Sequence, residues 1–168
     1  MNDIIILDGG MGTELQARGL APGERPELFG MEHPDVVEEV HRSYIAAGSR
    51  VIYSNTFGAN GHKLIGTGKS VAEGIAANVA TARRAAEHSG VEGVRVALDV
   101  GPIGELVEPL GTLSFEEAYE LFREMVTAGE AAGADLVVFE TLTDLYEVKA
   151  AVLAAKEHTK LPIWVKWP

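Results

Sequence analysis

Five short apolar runs, rich in β-branched residues, alternate with longer stretches of helical period, and this alternation restricts the possible folds more than any other feature. The runs predict strands over Ile4–Asp8, Arg50–Asn55, Val94–Val100, Asp135–Glu140 and Pro162–Lys166. They lack strict polar alternation, as parallel strands covered on both faces do. Between them, Pro34–Ala47 places Val36, Val37, Val40, Tyr44 and Ile45 on one helical face. Ser70 with Glu73 and Ser114 with Glu117 have the spacing of a capping box, and Asp144 with Glu147 does much the same, so three helices have defined starts. Strand followed by helix, repeated, is the pattern of βα units on a parallel sheet.

A weak internal repeat supports the same picture. The stretch from Ala46 to Thr56 parallels that from Ala131 to Thr141, each ending a helix on Gly and entering a strand. Gly48 and Gly133 supply the left-handed residue that turns the chain back onto the sheet. Asn55 and Glu140 then close their strands, where barrel enzymes keep their chemistry, although such a turn also serves any α/β protein. At 168 residues, 46% of them hydrophobic, the chain suits one domain over residues 1–168. A closed (β/α)8 barrel needs about 250 residues, so barrel-type units at this length make only part of one.

Charge narrows the range of partners. With 14 basic and 25 acidic residues the net charge is −11 and no basic stripe offsets it, which excludes a nucleic-acid backbone as partner. The start Met1-Asn2-Asp3 runs straight into Ile4-Ile5-Ile6-Leu7 with no basic region before it, unlike a secretory signal. No stretch reaches the ~18 apolar residues that span a bilayer. The expectation is a cytoplasmic protein with neither membrane nor nucleic-acid partner. With no Cys, the chain has no disulfide and no thiolate of its own.

Four loops after predicted strands carry candidate chemistry. Asp8-Gly9-Gly10-Met11-Gly12-Thr13-Glu14 sets an acid before glycines that let backbone approach a ligand, which suits an amino group; alternatively Asp8 caps the short helical stretch that follows. Asn55-Thr56-Phe57-Gly58-Ala59-Asn60 offers amide and hydroxyl groups beside an aromatic wall. In Asp99-Val100-Gly101-Pro102-Ile103-Gly104-Glu105, Gly and Pro fix a tight path whose N–H groups could face a pocket. Glu140-Thr141 ends the apolar run Leu136-Val137-Val138-Phe139 on a carboxylate that is costly to bury unpaired; a ligand ammonium or a neighbouring Lys or Arg would pair it.

Two other features are excluded. Gly66-Thr67-Gly68-Lys69-Ser70 resembles the end of a phosphate loop, but that pattern needs Gly where Lys63 stands, so Ser70 is read as a helix cap. His33, His41, His62, His88 and His158 show no metal-ligand spacing and are read as surface or helix residues.

Taken in order, Ile6 to Leu15, Asn55 to Asn60, Gly101-Pro102-Ile103-Gly104 and Phe139-Glu140-Thr141 closely resemble the homocysteine S-methyltransferase family. Phe115-Glu116-Glu117-Ala118-Tyr119 and Tyr146-Glu147-Val148-Lys149-Ala150-Ala151 look most like the amino-terminal, homocysteine-binding module of cobalamin-dependent methionine synthase. The resemblance implies an α/β fold, the N-terminal half of a (β/α)8 barrel with about four and a half βα units and parallel strands. It implies homocysteine bound at the C-terminal strand ends, with methyl transfer to its thiol giving methionine. Asp8, Gly9 and Gly10 match the first-strand motif of the pocket, Asn55, Thr56 and Phe57 its wall, and Glu140 and Thr141 the carboxylate that holds the amino-acid end. The family's zinc, held by three Cys from later strands, has no ligands here, and no catalytic or metal residue is assigned to this chain. Family members take the methyl group from methylcobalamin, betaine or S-methylmethionine, and cobalamin is handled by other domains. The chain also departs from the family's usual hydroxyl-bearing ending of the fifth strand, since Trp167-Pro168 stands there.

Two architectures follow. A half barrel leaves its first and fifth strands as edges, to be covered by a second copy of the chain in a homodimer or by a complementary half-barrel chain, or else the sequence is a truncation of a longer enzyme. An open, doubly wound sheet would instead be an inactive binding or structural module that self-associates through exposed edges. Strand order separates them: the first strand lies at the edge beside the second in the half barrel, and between the second and third in the open sheet.

Overall fold

The computed structural model describes residues 4–167. After the segment around Leu7 come α1 (Met11–Gln16), α2 (Pro26–Glu32) and α3 (Pro34–Ala46), then β1 (Val51–Tyr53), α4 (Gly61–Leu64) and α5 (Val71–His88). The chain continues through β2 (Arg95–Val100), α6 (Phe115–Ala131), β3 (Leu136–Glu140), α7 (Leu145–His158) and β4 (Ile163–Lys166). The four strands are parallel in the order β1-β2-β3-β4, and Leu7 bridges Val51 in parallel at the β1 edge. The first segment therefore lies outside the second strand, the order of a barrel segment rather than of a doubly wound sheet.

The two faces of the sheet differ as a partial barrel requires. Ile52, Val96, Leu98, Val100, Val137 and Phe139 pack under the helices in the main core. The opposite face is a small cluster of Val51, Ala97, Leu136 and Val138, joined by Leu7, Tyr53 and Trp164 and by no helix. In a closed barrel such a helix-free face is the interior.

The predicted first strand, Ile4–Asp8, is reduced to that single bridge. Its residues leave the ladder because only one side has a partner strand, and Ile4 is 91% exposed. The predicted Arg50–Asn55 shortens to three residues, since Ser54, Asn55 and Thr56 turn to make side-chain bonds instead. The other strands begin one residue later than predicted.

Ser70 and Ser114 form complete capping boxes with Glu73 and Glu117. Asp144 caps α7 through the Tyr146 amide, but Glu147 does not close a box. Both carboxylates reach instead to the loop after β2: Glu147 accepts from Ile103 N at 2.7 Å and Asp144 from Val107 N at 3.0 Å. That loop is thereby tied to the start of α7. Gly48 and Gly133 have φ of 116° and 88°, the left-handed turn expected where a helix returns to the sheet.

Helix α6 lies so close to β2 that a Cβ on Gly129 would overlap the Leu98 side chain. Gly129→Ala is expected to cost about 1–3 kcal/mol through overpacking. Urea unfolding at unchanged m value measures this; a change below about 0.5 kcal/mol contradicts the close approach.

Candidate functional site

Alternation along the strands decides what reaches the C-terminal end of the helix-free face. On β2 Ala97 is followed two residues later by Asp99, on β3 Val138 by Glu140, and on β4 Trp164 by Lys166, so an apolar layer gives way to a charged one. In the parallel register Glu140 sits opposite Lys166, and their side chains meet at 3.2 Å.

Asp8 joins the group from the edge. Its Oδ2 accepts the Tyr53 amide at 2.8 Å, so a side chain continues the β1 ladder where the first segment has left it. This is the partner of Asp8; α1 is capped from Gly10 with no side-chain bond. Asp8, Gly9, Gly10, Met11, Tyr53, Asp99, Glu140 and Lys166 line a cavity of about 210 Å³. Met11, Asp99 and Glu140 also line a neighbouring cavity of about 560 Å³, whose far wall carries Asn55, Phe57, Glu27, Arg25 and Lys63. A wider concavity, about 780 Å³, lies away from the strand ends among α4, α6 and His158.

The electrostatics of the smaller cavity are unusual. Asp8 Oδ1 and Asp99 Oδ1 are buried and have no hydrogen-bond partner among the described residues. Burial, opposed by the Tyr53 hydrogen bond and reinforced by Glu140, raises the Asp8 carboxyl from 3.8 to about 7. Asp99, 8% exposed, is held well above the ordinary carboxylate range by burial and then by Glu140, Asp8 and Glu27. Burial and the carboxylates of Glu140, Asp99 and Asp8 push the Tyr53 hydroxyl up to about 12. An unpaired buried polar group costs about 1–3 kcal/mol. Lys166, the one cation lining this cavity among the described residues, has a side chain 64% exposed, and an ion pair so exposed contributes only about 0–1 kcal/mol. Glu140 is thus free to exchange Lys166 for a better-placed cation.

The other candidate residues serve mainly as support. Asn55 lines the larger cavity, but its amide donates to Pro26 O and to Asn78 Oδ1, holding α2 against α5. Thr56 is fully buried, and its hydroxyl donates to the Asp99 carbonyl at 2.8 Å, bracing Asp99 from behind. Phe57 packs against Gly101, where a Cβ would come within 2.5 Å of the ring, and lies under Lys63 Nζ. Gly9 and Gly10 border the smaller cavity beside Tyr44, whose hydroxyl donates to Gly10 O. Thr141 is exposed with φ 65° and lines neither cavity. In the loop after β2, the Gly101 and Ile103 amides are used by Phe57 O and Glu147, so neither is free for a ligand.

Three residues of the site were not assigned to substrate binding from the sequence, although Asp99 heads the third candidate loop. Asp99 is the one polar residue inside the apolar run Val96-Ala97-Leu98-Asp99-Val100, which is a signal for it. Lys166 follows only from strand register. Tyr53, at the end of β1, carries no sequence signal of its own. Of the five His, His41 is fully buried on α3 with both ring nitrogens unpartnered, and burial lowers it to about 4. It is a neutral core residue.

Residues 5–167 match the family model for homocysteine S-methyltransferase. The chain belongs to the homocysteine S-methyltransferase family. It is 31% identical over 163 residues to methionine synthase of Mycobacterium tuberculosis, covering 91% of this chain and 14% of that protein. It is 32% identical over 178 residues to the homocysteine S-methyltransferase of Escherichia coli, covering 96% and 57%. The crystal structure of the metallated form of the homocysteine methyltransferase MmuM from Escherichia coli superposes with a TM-score of 0.85 at 27% identity, covering 98% of this chain and 63% of that one. The chain thus spans only part of each relative's length. Membership implies zinc bound by thiolates. With no Cys in the sequence, and no group of three or more His, Asp or Glu among the described residues able to hold a metal ion, the residues present do not fit that centre. Among the described residues, no helix is long and apolar enough to cross a membrane.

The raised Asp8 pKa makes stability depend on pH. Between about 3.8 and about 7 the folded chain keeps a proton that the unfolded chain has lost, so the Asp8 contribution is complete below 3.8 and disappears as pH rises through 7. Asp8→Asn retains an acceptor for the Tyr53 amide and carries no charge. It is expected to stabilise the chain by roughly 1–3 kcal/mol at pH 8, and by less at pH 5. Urea unfolding at both pH values checks this; parallel behaviour of wild type and variant would assign the pH dependence to another group.

Proposed function

We propose that this chain is the homocysteine-binding part of a cytoplasmic homocysteine S-methyltransferase, and that its own residues grip the amino-acid end of the substrate. The observation that carries this is that Asp8 and Asp99, each with one buried oxygen that has no hydrogen-bond partner among the described residues, line one cavity with Glu140 at the C-terminal strand ends. A primary ammonium has three donors and a positive charge, which those groups lack. Asp8 and Glu140 accept from it, Gly9 and Gly10 let the backbone come close, and Lys166 leaves Glu140 for solvent or for the substrate carboxylate. Phe57 and Asn55, on the wall of the adjoining larger cavity, border the remainder of the ligand. The relatives named above are methionine synthase and homocysteine S-methyltransferase, so the bound thiol is the methyl acceptor and methionine the product. Activation of its sulfur is not a task of these residues.

Calorimetric titration with L-homocysteine tests this. Binding is expected, with Glu140→Gln weakening it at least about tenfold through loss of a charge-assisted hydrogen bond. 4-Mercaptobutanoate, which lacks the amino group, should bind worse by a similar factor. Equal affinity for the two ligands, or none for homocysteine by a folded chain, contradicts the reading.

Both sheet edges carry exposed apolar residues, Ile4, Ile5 and Ile6 on one side and Val165 and Trp167 on the other. We propose that further strands cover them, from a second copy or a complementary chain. Light scattering on the isolated chain should give twice its 17.9 kDa mass, with Trp167→Lys shifting it toward the monomer. A stable monomer in both cases argues against self-pairing.

A further inference from the structure

The carboxyls of Asp8, Asp99 and Glu140 meet in one cavity, yet their surroundings are unequal. Asp8 accepts the Tyr53 amide, and Glu140 is paired with Lys166. Among the described residues the Asp99 side chain accepts no hydrogen bond; its Oδ1 is buried, and the residue lines the cavity. Its backbone is fixed on both sides, with Thr56 donating to its carbonyl and β3 paired along Asp99↔Val138. Of the three acids, Asp99 is therefore the one least able to carry a negative charge in the free chain.

The groups facing it complete the balance. Asp8 comes from the first segment, Glu27 from α2, Tyr53 from β1, Glu140 from β3 and Lys166 from β4. Three acids and a phenol surround it; among the described residues the cations are Lys166, which is exposed, and Arg25 and Lys63 across the adjoining larger cavity, and burial together with the acids favours a proton on Asp99. Arrival of a second cation reverses that field. We propose that Asp99 is a third recognition carboxylate of this cavity, a neutral acid in the free chain that yields its proton to solvent when a primary ammonium enters. The step balances as the Asp99 carboxylic acid plus R–NH3⁺ giving the Asp99 carboxylate paired with R–NH3⁺ and one H⁺ in water. No bond to the ligand forms or breaks. It rests on the amino-acid reading above for the identity of the natural ligand; the ammonium chemistry stands on the cavity alone.

The consequence is that ligand binding is coupled to proton release and tightens as pH rises, until Asp99 is ionised before the ligand arrives. This coupling also selects against ligands without charge at nitrogen. An amide or a free alcohol cannot stabilise the ionised acid and leaves the proton in place.

Carbon-13 NMR of the chain labelled at the aspartate carboxyls follows the proton directly. In the free wild-type chain at pH 7, the Asp99 resonance, identified by its absence in Asp99→Asn, should report the protonated acid. Adding ethylamine as a bare ammonium probe, and separately L-homocysteine, should move it to the ionised position. Calorimetry in two buffers of different ionisation enthalpy should show release approaching about one proton per ligand. Asp99→Asn should still bind, with the release at least halved. An ionised Asp99 in the free chain, a resonance that neither ligand moves, or unchanged release in Asp99→Asn overturns the proposal. A response to ethylamine without one to homocysteine supports it and removes the homocysteine reading. If the variant fails to fold, the wild-type Asp99 carboxyl resonance is assigned by through-bond correlation to its own backbone amide, and the wild-type titration still decides the first point.

Discussion

The Tyr53 amide takes its acceptor from a side chain, the Asp8 carboxylate at 2.8 Å, and the geometry of the strand ends follows from that bond. The first segment pairs with β1 through one bridge at Leu7 and then departs, which would leave Tyr53 N–H unpaired in a buried position. Asp8 fills the gap with one oxygen, while the other is buried and has no partner among the described residues. Burial at that position raises its pKa more than the Tyr53 hydrogen bond lowers it, so the acid that completes the ladder is uncomfortable when ionised. Such strain at a site, offset by good packing elsewhere, is what a functional pocket requires.

The rest of the cavity comes from the period of two along parallel strands. On the helix-free face the apolar residues Val51, Ala97, Leu136, Val138 and Trp164 give way toward the C-terminal ends to Tyr53, Asp99, Glu140 and Lys166. The apolar layer excludes water from below and thereby makes the carboxylates strong receivers for a cation. Thr56, Asn55 and Asn78 act behind them: the first braces Asp99, and the other two hold α2 and α5 so that the wider cavity keeps its shape. Residues of one sequence motif thus divide between bordering the ligand space and buttressing it.

Much of this was legible in the sequence, for identifiable reasons. The strands β2 and β3 and the helices α5 and α6 were evident because apolar runs and capping boxes are local signals, and both boxes form as drawn. Asp8 and Glu140 were evident as acids ending apolar runs. What sequence does not encode locally is pairing between distant segments. Lys166 faces Glu140 only through the β3–β4 register, and Glu147 serves Ile103 rather than its own helix because the loop after β2 passes within reach. The short helices α1, α2 and α4 fall below the length at which period shows. Ile4–Asp8 has the composition of a strand but only one neighbour to pair with, so it frays where composition alone predicts order.

The central claim is that the carboxylates at the strand ends receive the amino group of an amino acid. A crystal structure of the chain with L-homocysteine tests it most directly. The account predicts the ligand nitrogen within hydrogen-bond distance of Asp8 and Glu140, with Asp99 as its third carboxylate neighbour. A ligand seated elsewhere, or one whose nitrogen points to solvent while Lys166 stays on Glu140, would contradict it.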